Sequence, residues 1–425
     1  MPNGSLTSVG SQPLGKMRSS TLARQAVSVG TWNLASRAIA ALGTMYAARC
    51  LGPAFTGMSG MVIATAQQAA LVPSAGLDPV AVRRLAGDRQ TGGELVRGIL
   101  WLRLTLLLPV TALWVTMALR RSPARGLWLM GLPLLLNSAC TLSFAFQAAE
   151  AVPRLSAITA LGSLATSSLY FLLLVPGMPI GSDLRIQAAV VLITWLITVF
   201  ESRRLWGPLA PSVVALRGAA ALLRQSWRYW LQAVVASFYT LFQIPLIAWL
   251  LGAADAGQYR VALSLASGVD VAFVSLASVL LPRMARWNAV GPDYFHRQLR
   301  RLNRALVAIA VPSILLAIAA VPFVVPVLLG PAYHPAVPIL EILLLARLAV
   351  LLGQTYSQAL IAMARDRIFL GISLVATIFS ISASLLVIPA VGVRGAALVS
   401  LMTEFLILIA MANSVSRGLR AATRA

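Results

Sequence analysis

Acidic residues are scarce in this chain. Asp and Glu total 12 of 425 residues against 34 Lys and Arg, and charged residues together reach only 11%. A soluble domain carries about 25% charged residues, so an ordinary water-exposed fold is excluded. Histidine and cysteine are as sparse, with two of each. Cys50 and Cys140 lack CxxC spacing, and His296 and His334 fall in separate connections between apolar runs. Neither a zinc site nor a Cys–His nucleophile can be assembled from them. No P-loop is present to hydrolyse ATP. Any energy that the protein uses is therefore expected from a proton or sodium gradient, or from a substrate's own gradient, with no cofactor. The first 25 residues are polar and basic without an apolar h-region, so they read as a cytoplasmic tail and not a cleavable signal peptide.

What the chain has in abundance is apolar sequence. Hydrophobic residues make up 59%, and the mean hydropathy is +0.84. Stretches 126–149, 155–182, 229–254, 305–340 and 368–393 contain no Asp, Glu, Lys or Arg. Each exceeds the roughly 20 residues that an α-helix needs to cross a bilayer. The runs are continuous and not alternating, which selects helices over barrel strands. Twelve spans are expected, near 26–48, 57–80, 95–119, 126–150, 154–176, 186–206, 227–251, 257–282, 303–329, 336–363, 366–389 and 393–416. Lys and Arg concentrate in both termini and in the even-to-odd connections, so the positive-inside rule places both termini in the cytoplasm. Arg120, Arg121 and Arg125 dissent, which leaves spans three and four the least defined. The net charge of +22 is then a topology signal facing anionic lipid, not a nucleic-acid surface.

The sequence also repeats itself. Leu51-Gly52-Pro53-Ala54-Phe55-Thr56-Gly57 returns as Leu251-Gly252-Ala253-Ala254-Asp255-Ala256-Gly257, and in that register Arg83 falls on Arg283. A second match joins Gln147-Ala148 through Arg154 to Gln358-Ala359 through Arg365. Such repeats mark a transporter of two halves related by a pseudo-two-fold axis along the membrane normal. The expected organisation is a tail (1–25), a six-helix bundle (26–206), a cytoplasmic linker (207–226), a second six-helix bundle (227–416) and a tail (417–425). A short amphipathic surface helix is expected around 294–302. Pro73, Pro109, Pro133, Pro245, Pro312, Pro322 and Pro326 lie inside spans, either as hinges or as prolines that membrane helices tolerate.

Four segments carry a resemblance to a known family. They are Ala48-Arg49-Cys50-Leu51-Gly52-Pro53 with Gly57; Gly76-Leu77-Asp78 with Arg83; Leu251-Gly252 through Gly257-Gln258-Tyr259 to Leu281-Pro282-Arg283; and Leu329-Gly330-Pro331-Ala332-Tyr333 with Gly392-Val393-Arg394-Gly395. Over about residues 20–416 the chain resembles the Wzx-type polysaccharide flippases of the multidrug/oligosaccharidyl-lipid/polysaccharide (MOP) exporter superfamily. The resemblance implies an all-α membrane protein with two six-helix bundles around a central cavity. It implies export of an undecaprenyl-diphosphate-linked oligosaccharide across the bacterial inner membrane. Polymerase or chain-length proteins would be its pathway partners, and the chain would act as a monomer. The related lipid II flippases carry two more spans. The drug antiporters of the superfamily have twelve, but no acidic residue lies in the first span here.

The cargo's diphosphate calls for arginine, whose planar fork matches phosphate oxygens. Arg37 lies mid-span with Asn33, Ser36 and Thr44 near one face, either gripping substrate or pairing within the bundle. Arg347 in span ten continues through Gln354 and Gln358, with Glu341 as an alternative partner. Arg103 is expected to snorkel. Asp270 in span eight is the acidic counterpart, binding a coupling ion or pairing with an arginine, and Glu404 and Glu150 rank below it. Gln67, Gln68 and Gln243 either bond sugar hydroxyls or hold helices together. A cation antiporter of the same fold is the first alternative. A glycan polymerase or ligase is the second, and it lacks the large periplasmic loop that its chemistry would need.

Overall fold

The computed structural model describes residues 39–87, 92–120, 125–268, 284, 287, 290–363 and 365–424. Among them the chain is helical throughout and contains no strand. The first part comprises α1 (Ile39–Leu51), α2 (Pro53–Ala69), α3 (Leu71–Ser74), α4 (Asp78–Gly87) and α5 (Gly92–Arg120), then the short helices α6 (Arg125–Leu129), α7 (Leu132–Ala139) and α8 (Ser143–Ala148). Next come α9 (Val152–Leu173), α10 (Ser182–Trp206), α11 (Val213–Ala220), α12 (Leu223–Leu241), α13 (Gln243–Leu250) and α14 (Ala253–Ser267). The chain closes with α15 (Pro292–Leu329), α16 (Ala336–Ala362), α17 (Asp366–Val391) and α18 (Val393–Arg424).

Eight segments among the described residues are long and apolar enough to cross a membrane. They are α5, the α6–α8 segment, α9, α10 and α15 to α18, which correspond to expected spans three to six and nine to twelve. Leu172, Leu316, Phe323 and Leu386 stand exposed on them. In water such apolar surface would drive association, whereas in a bilayer it meets acyl chains. The remaining expected spans are represented by α1, α2 with α3, α12 with α13, and α14. This is a multi-pass membrane protein.

The structure revises three local expectations. Span four is not one helix. It breaks at Met130–Gly131 and again between Cys140 and Leu142. Broken backbone is tolerated at membrane depth only where protein groups replace the lost hydrogen bonds. Here Trp195 Nε1 donates to the freed Cys140 carbonyl (3.1 Å), and Trp114 Nε1 and Trp206 Nε1 add second bonds to the Trp128 (2.8 Å) and Ala145 (3.1 Å) carbonyls beside the breaks. The expected surface helix near 294–302 is instead the start of α15, one continuous helix of 38 residues. Finally, α12 begins at Leu223, inside the stretch expected as linker, and α11 packs on α5, where Trp101 Nε1 reaches the Leu209 carbonyl at 2.8 Å.

Prolines divide by context. Pro73, Pro133 and Pro245 lie in short helices beside breaks, where a missing N–H costs little. Pro109, Pro312, Pro322 and Pro326 lie within long helices.

The repeated motif proves to be the contact between the two halves. Gly52 (φ 83°, ψ 173°) and Gly252 (φ 103°, ψ 172°) separate α1 from α2 and α13 from α14 with the same backbone geometry, one that L side chains rarely adopt. Past these turns α2 and α14 pack face to face. A Cβ on Gly57 would stand 2.7 Å from the Gly257 nitrogen and overlap the Ala253 carbonyl oxygen. A Cβ on Gly257 would stand 3.0 Å from the Gly57 nitrogen and overlap the Pro53 carbonyl oxygen. That reciprocity is what a local two-fold axis produces, and only glycine permits it. The halves meet again where α12 packs on α3 and Trp230 Nε1 donates to the Leu71 carbonyl at 2.9 Å.

Candidate functional site

Each half encloses a cavity whose largely apolar wall carries several polar and charged side chains. The first, of about 400 Å³, lies among α1, α2 and α7 to α10. Its wall includes Thr44, Asn137, Thr166, Asp183, Gln187 and Trp195 and, from the second half among the described residues, Arg260 of α14. The second cavity, of about 370 Å³, lies among α12, α16, α17 and α18 and is lined by Arg347, Gln354 and Glu404 with Gln232, Ser357 and Thr377.

Arg260 reaches the first cavity because its register partner is glycine. Positions 60 and 260 are equivalent in the repeat, and near a two-fold axis equivalent positions face each other. A Cβ on Gly60 would overlap the Arg260 side chain, coming within 3.3 Å of its Nη1. The guanidinium crosses the seam at this point and donates Nη1 to the Thr56 carbonyl at 2.8 Å. Asp183 stands at the start of α10, buried, with one carboxylate oxygen accepting from Ser59 Oγ at 2.9 Å. The Tyr170 phenol donates to the Asp183 backbone carbonyl at 3.3 Å.

Further contacts hold this end of the seam. Tyr333, in the short 3-10 turn Pro331–Tyr333, donates to the Ala48 carbonyl at 3.1 Å and hydrogen-bonds Thr56 Oγ1 at 2.9 Å. Burial pushes its phenol up to about 12, with Thr56 and Arg260 pulling the other way. The hydroxyl therefore keeps its proton at any physiological pH. Arg49 Nη1 donates to the Val327 carbonyl at 3.1 Å.

The structure gathers some of the residues that sequence reading singled out and separates others. Arg347, Gln354 and Glu404 share the second cavity. Gln243 is buried at a junction of three helices, where it donates to the Ala396 carbonyl (3.3 Å), accepts from Ser400 Oγ (2.9 Å) and bonds the Tyr259 hydroxyl. Gln67 is exposed on α2 and lines neither cavity. Arg37, Asn33 and Asp270 lie outside the described residues. Arg103 does not snorkel. It is 1% exposed, bridges to Asp78 at 2.7 Å and donates to the Thr141 carbonyl at 2.6 Å, one of the carbonyls freed where span four breaks. Among the described residues no group of three or more His, Cys, Asp or Glu is placed to hold a metal.

Asp183 and Arg260 are the residues that sequence reading missed. Asp183 lies in the first turn of α10 and Arg260 near the start of the expected span 257–282, where a charge reads as a snorkelling residue of no special cost. The signal was slight: in the 200-residue register Arg260 falls opposite Gly60, three residues past the repeated Gly57 and Gly257.

Residues 22–288 match the family model for polysaccharide biosynthesis proteins. The chain belongs to that family. No protein of curated function matches it. Among solved structures, this polysaccharide biosynthesis family member is similar in fold to the lipid II flippase MurJ in an inward closed conformation, with a TM-score of 0.73 and 11% identity over 91% of this chain and 87% of that one. It is also similar to an inward-facing multidrug resistance MATE family transporter of the MOP superfamily, with a TM-score of 0.62 and 13% identity over 95% of each chain. A third likeness is to a MOP superfamily transporter from Pyrococcus furiosus described as having a binding pocket of reverse polarity, with a TM-score of 0.56 and 13% identity over 94% and 96%. The family member thus has the fold of MOP-superfamily transporters.

Proposed function

We propose that this protein is a flippase that carries an undecaprenyl-diphosphate-linked oligosaccharide from the cytoplasmic to the periplasmic leaflet of a bacterial inner membrane. The observation that carries the reading is a cavity in each half of a membrane-embedded bundle, each with an arginine in its wall: Arg260 in the first and Arg347 in the second. A polar headgroup needs polar groups and arginines along its path while its lipid tail stays in hydrocarbon. Family membership supports a polysaccharide cargo.

By the positive-inside reading, both termini are cytoplasmic and the Gly57–Gly257 seam lies on the periplasmic side. Alternating access then consists of opening that seam. Arg37 and Arg347 contact the diphosphate, Asn33 and Gln354 support the headgroup, and Asp270 or Glu404 couples transport to a proton or sodium gradient, while Gln243 holds helices together. The chain acts as a monomer without a cofactor, beside the polymerase and chain-length proteins of its pathway.

A second reading is a proton- or sodium-coupled exchanger of small cations. It is favoured by one observation: each cavity also holds an acid, Asp183 in the first and Glu404 in the second. Proteoliposomes carrying a fluorescent undecaprenyl-diphosphate oligosaccharide separate the two. Wild-type protein should move the lipid between leaflets, Arg37→Ala should not, and Asp270→Asn should lose dependence on an imposed pH gradient. Folded wild-type protein that moves no such lipid yet exchanges small cations would replace the first reading with the second.

A further inference from the structure

The cavity between Asp183 and Arg260 contains an unusual arrangement of charge. Among the described residues the two line one space yet make no ion pair with each other. Ser59 is the one described side chain bonded to the Asp183 carboxylate, and the Thr56 carbonyl is the one described acceptor for Arg260. A carboxylate accepts at two oxygens and a guanidinium offers five N–H donors, so both keep capacity facing the cavity. Opposite charges taken out of bulk water and left apart are costly unless something between them answers both.

The occupant must donate to Asp183 and accept from Arg260. A hydroxyl does both, and a pyranose ring presents neighbouring hydroxyls at fixed spacing. The rest of the wall suits such a ring: Thr44, Thr166 and Gln187 supply further small polar groups, and Trp195 supplies an apolar ring face. A volume of about 400 Å³ falls within the roughly 300–1,000 Å³ of small-molecule sites. That accommodates a sugar or two, not a long repeat unit. Resting on the flippase reading above, we infer that the first-half cavity binds a sugar ring of the lipid-linked glycan, held between Asp183 and Arg260.

The site has a built-in dependence on the seam. Asp183 belongs to the first half and Arg260 to the second, so opening the seam withdraws the donor from the acceptor. The sugar is held while the seam is shut and released as it parts. By the same linkage, a bound sugar biases the protein toward the shut state by its difference in affinity for the two.

Equilibrium dialysis on full-length protein in nanodiscs tests this. The probe is the radiolabelled glycan released by mild acid from the lipid-linked pool of the source cells. Wild type should bind it, Asp183→Asn and Arg260→Met should each weaken binding at least tenfold, and Gln187→Leu should weaken it less. The same preparations are assayed for flipping of the intact glycan-lipid. Equal binding by wild type and folded Asp183→Asn would overturn the inference. So would absence of binding in wild type that flips the glycan-lipid, because the cavity would then hold water only. If wild type binds the glycan but flips no lipid, the flippase reading fails and the sugar site stands. Should Asp183→Asn not fold, Arg260→Met and Gln187→Leu decide the outcome in the same way.

Discussion

Tyr333→Phe should loosen the seam without disturbing either half. The phenol makes two hydrogen bonds across the halves, to the Ala48 carbonyl (3.1 Å) and to Thr56 Oγ1 (2.9 Å). Each is worth about 0.5–1.5 kcal/mol net, so the upper bound for their joint loss is about 3 kcal/mol. The Ala48 carbonyl keeps its bond from the Gly52 N–H at 2.9 Å, and the Thr56 hydroxyl, released from Tyr333, turns its one proton to the Gly52 carbonyl 2.9 Å away. No buried group is orphaned, which points to the lower half, about 1–1.5 kcal/mol. A shift of that size raises the open fraction roughly 5- to 12-fold, since 1.4 kcal/mol is about tenfold. Ala48 is 1% exposed beneath Tyr333 and reports the opening. With Cys50 and Cys140 replaced by Ala, the rate at which Ala48→Cys reacts with an impermeant maleimide should rise by that factor in Tyr333→Phe. The melting temperature should fall only slightly. An unchanged labelling rate in folded protein would refute the claim that these bonds hold the seam shut.

Other perturbations follow from the same contacts. Gly57→Val and Gly257→Val each insert a side chain where backbone of the other half lies, so flipping in proteoliposomes should fall to background while Ala48→Cys becomes readily labelled. Asp78→Asn leaves the buried Arg103 without its counter-charge. It should cost about 1.5–3 kcal/mol, read as a lower melting temperature, and the paired change Arg103→Met with Asp78→Leu should restore part of it. Trp114→Phe removes the indole donor to the Trp128 carbonyl (2.8 Å). That carbonyl keeps its bond from the Gly131 N–H at 3.0 Å, so the loss should be about 1 kcal/mol by thermal melt, with flipping retained.

The apolar runs were legible because a bilayer imposes one demand on every spanning segment, about 20 residues with their polar groups satisfied internally. Eight of the expected spans are found as long apolar segments. Span four looked the same in sequence and is broken, because the partners of its freed Cys140 and Thr141 carbonyls, Trp195 and Arg103, come from other helices, and Trp114 and Trp206 add bonds beside the breaks. Nothing local in 126–150 announces them. Arg103 was misread for the complementary reason. Its distance from a span end suggested a side chain reaching for water, whereas Asp78 had been brought to it by the turn after α3.

The candidate site shows the same division. Arg347, Gln354 and Glu404 could be named from sequence, since charge and amide within an apolar run are expensive and stand out. That they share one cavity depends on how α16 packs on α18, which helical spacing within one segment cannot specify. The sequence by itself determined that this chain is helical, membrane-embedded and internally repeated, because solvent and periodicity act on each segment separately. Only the tertiary structure decided that the repeated glycines meet across the two halves, and that Arg260 thereby enters the cavity opposite Asp183. Those contacts join residues far apart in the chain, and their energy exists only once both helices are in place.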